Sequence, residues 1–279
     1  MRTIFFLVAT TPHAWKPYTD AFEAQLRTHP RLPEYQIQYQ PASGVQELYE
    51  AIATRFVNNA VSGDVIVTGG TRPTLACANA TKIIPIVYAT AGLDDLSGNN
   101  VTGISNQQVQ HVTDRFDYVI ETINPNQDFC FSTIGNTDAR NVRLEMDEVE
   151  NQANRRKLNF HKNTMPLQTA DEIKPVLENL ARSGVKGVFV CTDPLITTNA
   201  ELLNEWALVY GLSTTHSFEE NWGTKGHMWC GPKLKDMFET AADFVARILS
   251  GEDVSKIKSE VAKTLDKNVH KAIGRMLGL

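Results

Sequence analysis

The amino-acid sequence predicts an α/β fold of two doubly wound, parallel-sheet halves. Short apolar runs of strand length, such as Ile4–Ala9 and Val65–Thr68, alternate with amphipathic segments of helix length along almost all of the 279 residues. The alternation restarts near residue 106 with no low-complexity linker, and both halves have a similar size. We therefore expect two Rossmann-like lobes with a ligand cleft between them.

The first half is predicted to contain five buried strands. They are Ile4–Ala9, Tyr35–Tyr39, Val65–Thr68, Ile84–Tyr88 and Val101–Ile104. Helices are expected between them because the intervening segments are amphipathic. These helices cover Tyr18–Thr28, a segment opened by Ser43 with Gln46 three residues on, and Thr74–Ala80. The Ser43 and Gln46 spacing is typical of a capping box.

The second half repeats the pattern with longer helices. Its predicted strands are Phe129–Ile134, Phe160–Asn163, Gly187–Thr192 and Leu212–Ser217. Its predicted helices are Val109–Ile123, Asp138–Lys157, Asp171–Arg182 and Leu195–Tyr210. A remaining tail reads as Gly226–Cys230, a helix at Lys235–Ser250, a strand at Ser259–Thr264 and a helix at Lys267–Met276.

Composition limits the classes of partner. The formal charge of -5 is spread along the chain, so no basic tract is present for a nucleic-acid backbone. No apolar run approaches the roughly 18 residues of a membrane-spanning helix. The four cysteines are far apart in apolar surroundings, which favours buried thiols, although their even number also permits disulfides. The amino-terminal run is too short for a signal peptide, which favours either a cytosolic protein or a mature chain to which Met1 was added.

Motifs for chemistry are missing from the sequence. It contains no GxGxxG, no GxxxxGK[ST], no GxSxG and no HExxH or Cys/His zinc spacing. We therefore expect no catalytic residues, no cofactor and no metal, and a binding function rather than an enzyme. A spatially assembled active site stays open as an alternative, because catalytic triads need not be close in sequence.

The candidate binding residues follow the predicted strands, because parallel sheets bind ligands at the carboxyl ends of their strands. The loops there are rich in Thr, Gly and Asn, whose hydroxyls and backbone N–H groups suit a carboxylate at a helix N-terminus. Arg72 could pair with that carboxylate, Asp193 could accept from an ammonium group, and three aromatic residues could cover an apolar ligand body. The alternatives are helix caps, a solvated arginine and core packing. The candidate ligand-binding residues are Thr10, Thr11, His13, Trp15, Gly70, Thr71, Arg72, Tyr88, Thr90, Asn136, Thr137, Asp193 and Trp222.

Several strings resemble the substrate-binding proteins of ABC transporters, of the tryptophan/tyrosine type. Asn79-Ala80-Thr81 before Ile84–Tyr88 is similar to the family's "ANAT…IPIVF", and Asn100–Ser105 matches its "NVTG[VI]S". Further similarity lies in the strand and Asp of Gly187–Pro194, in Gly231-Pro232 with the helix that follows, and in Lys263–Leu279. Arg72 stands where the family commonly has Pro, and the loop between Tyr88 and Asn100 is shorter than usual, so the ligand's identity is not carried over.

The resemblance implies a type I periplasmic-binding-protein fold with three hinge crossings and a ligand clamped by hinge closure. The implied lobes are 1–105 with 218–252 and 106–217 with 253–279. The implied function is the delivery of a small organic ligand to an ABC permease by a monomeric periplasmic or extracellular-facing protein. The loop residues, and not the resemblance, predict that this ligand carries a carboxylate, with an aromatic amino acid or aromatic acid as one candidate. A cytoplasmic ligand sensor of the same fold is the alternative if Met1 is native.

Overall fold

The protein consists of two compact units that the chain visits in turn. The computed structural model describes residues 1–45, 47–92, 98–126 and 128–279. Unit 1 comprises 1–107 and 234–263, and unit 2 comprises 108–233 and 264–279. The chain therefore passes from one unit to the other three times, after residues 107, 233 and 263.

Unit 1 is a six-stranded, all-parallel sheet with helices. Its strands are β1 (Arg2–Val8), β2 (Tyr35–Pro41), β3 (Val65–Gly69), β4 (Ile86–Ala91), β5 (Val101–Ser105) and β11 (Glu260–Val261). Its helices are α1 (Pro12–Arg27), α2 (Leu48–Asn59), α3 (Thr71–Ala80) and α10 (Leu234–Leu249). The strand order is β2-β1-β3-β4-β5-β11. The apolar strands β1, β3 and β4 are buried almost throughout, as strands covered on both faces must be.

Unit 2 repeats this strand order with one change of direction. Its strands are β6 (Cys130–Ile134), β7 (Asn159–Phe160), β8 (Val185–Val190), β9 (Ser213–His216), β10 (Met228–Pro232) and β12 (Leu265–Val269). Its helices are α4 (Val112–Ile123), α5 (Arg140–Arg155), α6 (Ile173–Arg182), α7 (Pro194–Thr198), α8 (Ala200–Val209), α9 (Glu219–Trp222) and α11 (Lys271–Met276). The order is β7-β6-β8-β9-β10-β12, and β12 runs antiparallel to β10. The expected α/β architecture with two parallel-dominated sheets is confirmed.

The unit boundaries differ from those expected from the sequence by two residues at the first crossing, where 106–107 belong to unit 1, and in two longer segments. Residues 218–233 belong to unit 2, because β10 pairs with β9 at Met228↔Thr215. Residues 253–263 belong to unit 1, because β11 pairs with β5 at Glu260↔Ile104. Both corrections follow from strand pairing between residues distant in the chain, which local periodicity does not encode.

Several local expectations were also wrong. Ser43 lies in a turn with a φ of +52° and α2 begins only at Leu48, while Gln46, the other half of the expected capping box, lies outside the described residues. The predicted helix Leu195–Tyr210 is interrupted at Asn199, which separates α7 from α8. The start of the predicted helix Lys267–Met276 belongs to strand β12. The expected short loop after Tyr88 is described only up to residue 92 and from residue 98 onward.

All four cysteines are free thiols, and three of them are buried. Burial raises the pKa of the Cys77 thiol to about 12 and that of the Cys230 thiol to about 11, which keeps both groups protonated and unreactive. None of the helices in the described part of the chain has the length and hydropathy needed to cross a membrane.

Candidate functional site

The strand order places a switch point at the same place in each sheet. In unit 1, β1 lies between β2 and β3, so the strands that follow β1 are placed first on one side of it and then on the other. In unit 2, β6 lies in the same way between β7 and β8. Helices begin directly after these strands, so helix N-termini and loop backbone lie together at the carboxyl ends of the strands. We call these regions the carboxyl edge of unit 1 and the carboxyl edge of unit 2.

The loop after β1 contributes hydroxyl groups to the carboxyl edge of unit 1. Thr10 is buried, and its Oγ1 has no hydrogen-bond partner among the described residues. Thr11 caps α1, where its Oγ1 accepts from the backbone N of Ala14 at 3.4 Å. His13 is exposed in the first turn of the helix. This arrangement supplies a buried hydroxyl and an accessible imidazole next to a helix N-terminus.

The loop after β3 is shaped by a glycine that begins α3. Gly70 has a φ of +97°, a conformation that a side chain rarely tolerates, and its N–H donates to the carbonyl of Ala89 at 3.0 Å. Thr71 Oγ1 accepts from the backbone N of Gly92 at 2.9 Å. Arg72 is half-buried in the first turn of α3, and that turn has no acidic residue. The Thr71 hydroxyl therefore fixes the start of the loop that follows β4, in addition to any contact with a ligand.

The end of β4 is bound to the segment that precedes the first crossing between the units. Thr90 is buried with a φ of +65°, at the irregularity between Ala89 and Ala91. Its carbonyl accepts from Nδ2 of Asn106 at 3.1 Å. The backbone at Thr90 therefore has a structural role at the point where the chain leaves unit 1.

Two of the candidate aromatic residues are packed inside unit 1. The ring of Trp15 covers the backbone of Gly69, where a Cβ would collide with it, and it packs edge-on against Phe238 at 4.8 Å between centroids. Tyr88 lies within β4 and packs against Val101 and the backbone of Gly103. Core packing, the alternative weighed for both residues, accounts for their positions.

The carboxyl edge of unit 2 contains the remaining polar candidates. Asn136 is buried, and its Oδ1 accepts from the backbone N of Asp138 at 3.0 Å. The carbonyl of Thr137 accepts from Arg143 Nη1 at 2.7 Å. Asp193 is buried as the N-cap of α7, and its Oδ1 accepts from the backbone N of Leu195 at 2.7 Å. The role of helix cap, which was the alternative for Asp193, therefore accounts for the contact of its Oδ1 atom.

Trp222 packs against the carboxyl-terminal segment of unit 2. It ends α9, before β10 begins, and its ring stacks on His270 with centroids 3.7 Å apart and an angle of 13° between the planes. Gly226 is packed between the backbone of Trp222 and the ring of His216, the last residue of β9. Core packing, the alternative weighed for Trp222, therefore describes its ring contact.

A buried ion pair at the carboxyl edge of unit 2 was missed by the sequence interpretation. Arg115 of α4 and Glu145 of α5 are 1% and 0% exposed, and their Nη2 and Oε1 atoms are 2.7 Å apart. A signal for it exists in the sequence, since Arg115 falls on the apolar face of α4 with Val112 and Phe116. A charged residue at such a position needs a partner of opposite charge.

The ion pair and the burial around it set the titration of neighbouring groups. Burial, followed by the positive charge of Arg115, lowers the pKa of His216 to about 3, so this histidine is neutral at physiological pH. Burial, followed by the negative charge of Glu145, raises the pKa of the Cys191 thiol well above its usual range. Neither group is poised to act as a base or nucleophile near pH 7.

The described residues contain no cluster of three or more His, Cys, Asp and Glu side chains that could hold a metal ion. What the two edges offer is hydroxyl groups, amides, helix N-termini and charged side chains. This chemistry suits the binding of a small polar ligand.

Comparison with known proteins identifies the family. The family model described as "ABC transporter substrate binding protein" matches residues 32–279. No curated protein matches the chain by sequence.

Solved structures share the fold at low sequence identity. A conserved domain protein from Vibrio cholerae has a TM-score of 0.86 and 19% identity, over 100% of this chain and 95% of its own. An ABC domain from Streptococcus pneumonia in complex with L-Trp has a TM-score of 0.85 and 18% identity, over 99% and 94%. A solute binding protein from Agrobacterium vitis with bound D-fucose has a TM-score of 0.72 and 12% identity, over 97% and 96%. With the periplasmic-binding-protein fold shared and the family model covering most of its length, the chain belongs to the ABC transporter substrate-binding protein family.

Proposed function

We propose that the protein binds a small organic ligand bearing a carboxylate and delivers it unchanged to an ABC permease outside the cytoplasm. The match of the substrate-binding family over residues 32–279 carries this proposal. The protein acts as a monomer in this role, and the two carboxyl edges supply binding groups rather than a nucleophile and base.

The start of α3 is the proposed seat for the carboxylate. Partial positive charge accumulates at a helix N-terminus, and the first turn of α3 has no acidic side chain to neutralise it. Arg72 adds a full positive charge in that turn. A charge-assisted hydrogen bond contributes about 1.5–3 kcal/mol, which corresponds to roughly a tenfold to hundredfold change in affinity.

Asp193 is the proposed acceptor for an ammonium group, if the ligand is an amino acid. It lies at the carboxyl end of β8 and is almost fully buried, so its negative charge is poorly screened by water. The support for an aromatic ligand body is the L-Trp complex of the Streptococcus protein, since Trp15 and Tyr88 are packed in the core and Trp222 is stacked on His270.

Three probes that differ in one group each test the proposal. L-tryptophan, indole-3-propionate and tryptamine share the ring and carry both charged groups, the acid alone and the amine alone. Calorimetry and native mass spectrometry on the wild-type protein should show the amino acid or the acid binding and being recovered with unchanged mass. Chemical conversion of a bound probe would favour the enzyme alternative. Absence of binding by all three would reject the aromatic carboxylate class.

Variants assign the two charged groups. Arg72→Ala should weaken acid and amino-acid binding tenfold or more, whereas Lys82→Ala, the matched exposed cation just after α3, should leave affinity unchanged. Thr71→Ala should also weaken binding, because the loop at Gly92 loses its hydrogen bond. Asp193→Asn should remove only the increment due to the ammonium group. If Arg72→Ala, Thr71→Ala and Asp193→Asn all bind the probes as tightly as the control and the wild type, these three residues have no role in ligand binding.

A further inference from the structure

The carboxylate of Glu145 joins four separate segments of unit 2. Its Oε1 accepts from Arg115 of α4, at 2.7 Å, and from Oγ of Ser217 just after β9, at 3.2 Å. Its Oε2 accepts from Nε2 of Gln108 at 3.1 Å and from the backbone N of Thr192 at 2.9 Å. We call these five residues the Glu145 network.

Arg115 closes the network from the other side. It donates through Nη1 to the hydroxyl of Ser217 and through Nη2 to the carbonyl of Gln108 at 2.9 Å. Ser217 thus accepts from the arginine and donates to Glu145, and Gln108 is held through both its backbone and its side chain. The two charges are buried, and the carboxylate oxygens of Glu145 and the Nη atoms of Arg115 are hydrogen-bonded to particular loops, while Arg115 Nε has no partner among the described residues.

The segments so joined are those that define the carboxyl edge of unit 2. Gln108 is the first residue after the first crossing, Thr192 immediately precedes Asp193, and Ser217 follows β9, the strand next to β8. A buried ion pair is a poor device for stability alone, because well-packed apolar residues often serve as well. Its specific contribution is to fix the positions of the groups bonded to it.

We propose that Arg115 and Glu145 are positioning residues for ligand binding. They hold the Thr192–Asp193 loop, the end of β9 and the first crossing in one arrangement. The effect on affinity rests on the proposed function, whereas the effect on the loops does not.

An apolar replacement of the pair separates positioning from stability. The double variant Arg115→Met/Glu145→Leu leaves no uncompensated charge but removes the hydrogen-bond partners of the Thr192 N–H and the Ser217 hydroxyl, so the protein should stay folded with a lowered melting temperature. It removes the acceptor of the Thr192 N–H, so hydrogen exchange at this amide should accelerate at least tenfold, and exchange in residues 106–110 should also rise. The matched control, Arg182→Met/Glu178→Leu, removes an exposed ion pair of α6 and should change neither.

Affinity is measured on the same proteins with L-tryptophan and indole-3-propionate. The double variant should bind at least tenfold more weakly than the wild type while remaining folded, and the control should bind as the wild type does. A folded double variant with wild-type exchange at Thr192 and wild-type affinity would overturn the proposal. Wild-type protein that binds neither probe would count against the proposed ligand class only, and exchange would still decide whether the network holds the loops.

A second variant covers the case in which the double variant fails to fold. Gln108→Met keeps the ion pair and removes the hydrogen bonds from the Gln108 side chain to Glu145 and to the carbonyl of Asn141. It should raise exchange in residues 106–110 and leave the Thr192 amide protected. Unchanged exchange in both segments would contradict a positioning role.

Discussion

The two units have the same strand order but join their corresponding helix pairs by opposite means. In unit 1, α1 packs against α10 through aromatic contacts, with Phe238 4.8 Å from Trp15 and 5.7 Å from Tyr18 between ring centroids. In unit 2, α4 packs against α5 around the buried pair of Arg115 and Glu145. The comparison shows that the same topology can be built with two kinds of helix interface. Unit 1 uses buried aromatic rings, whereas unit 2 uses a hydrogen-bonded pair of buried charges.

The units also differ in their buried titratable groups. Burial lowers the pKa of His216 to about 3 and that of His227 to about 4, and it raises the pKa of Glu220 to about 7, all in unit 2. The histidines of unit 1, His13 and His29, are exposed and partly exposed. We therefore expect the pH response of folding to originate in unit 2.

The largest effect should come from removing the aromatic centre of unit 1. Phe238→Ala deletes a fully buried ring in contact with Phe6, Trp15 and Tyr18, and should lower the free energy of unfolding by about 3–5 kcal/mol. Denaturant titration measures the loss, and hydrogen exchange should locate it in unit 1. The exposed Leu75→Ala is the control. A loss below about 1 kcal/mol would mean that aromatic packing does not distinguish this unit.

Acid should destabilise unit 2 through its buried histidines. Their folded pKa values lie below the unfolded value of 6.5, so the unfolded chain binds protons first, and stability is lost as pH falls from about 6.5 towards 4. The melting temperature should drop over this range, and His227→Asn should make the drop shallower. His13→Asn, an exposed control in unit 1, should keep the wild-type slope. If the melting temperature of both variants fell equally steeply with pH, His227 would not be a cause of the acid destabilisation.

Glu220 should act in the opposite direction. Burial raises its folded pKa to about 7, above the usual value of 4.5, so the folded state keeps a proton that the unfolded state loses, and stability falls as pH rises from about 4.5 to 7. Glu220→Gln should therefore stabilise the protein at pH 8 by on the order of 1–3 kcal/mol, with a smaller gain at pH 4.5. Glu219→Gln, its exposed neighbour, is the control. A gain independent of pH would show that ionisation is not its cause.

The smallest effects should come from exposed ion pairs, equally in both units. Lys16→Ala breaks a pair with Asp20 on α1, and Arg182→Ala breaks a pair with Glu178 on α6. Each should cost about 0.2–1 kcal/mol, because water and salt screen exposed charges. Thermal unfolding at low and high salt checks this. If one of the two variants lost clearly more stability than the other, the units would differ in their surface ion pairs as well as in their buried interfaces.

The sequence predicted the strands well where burial on both faces makes them continuously apolar, as in β1, β3 and β8. It failed where long-range pairing decides: β12 has only a weak local pattern at Leu265, Lys267 and Val269, and becomes a strand because β10 is beside it.

For the candidate site, loop positions could be read from the strand ends, but side-chain surroundings could not. From the sequence alone, Trp15 and Tyr88 could equally pack in the core or contact a ligand, because their neighbours in space are not known. The partnership of Arg115 with Glu145 joins residues 30 positions apart on two helices. Each lies on an apolar helix face, and a search for such charges would have detected them as a pair.

The three crossings impose an order on synthesis. Unit 1 lacks α10, and with it Phe238, until residues 234–249 have been made, and by then almost all of unit 2 has emerged. Unit 2 in turn lacks β12 until residues 265–269 have followed. The two sheets are completed only when β11 and β12 have been translated, so the growing chain exposes two unfinished apolar surfaces at once until that point. The need for chaperones should fall once residues 260–269 are available to pair.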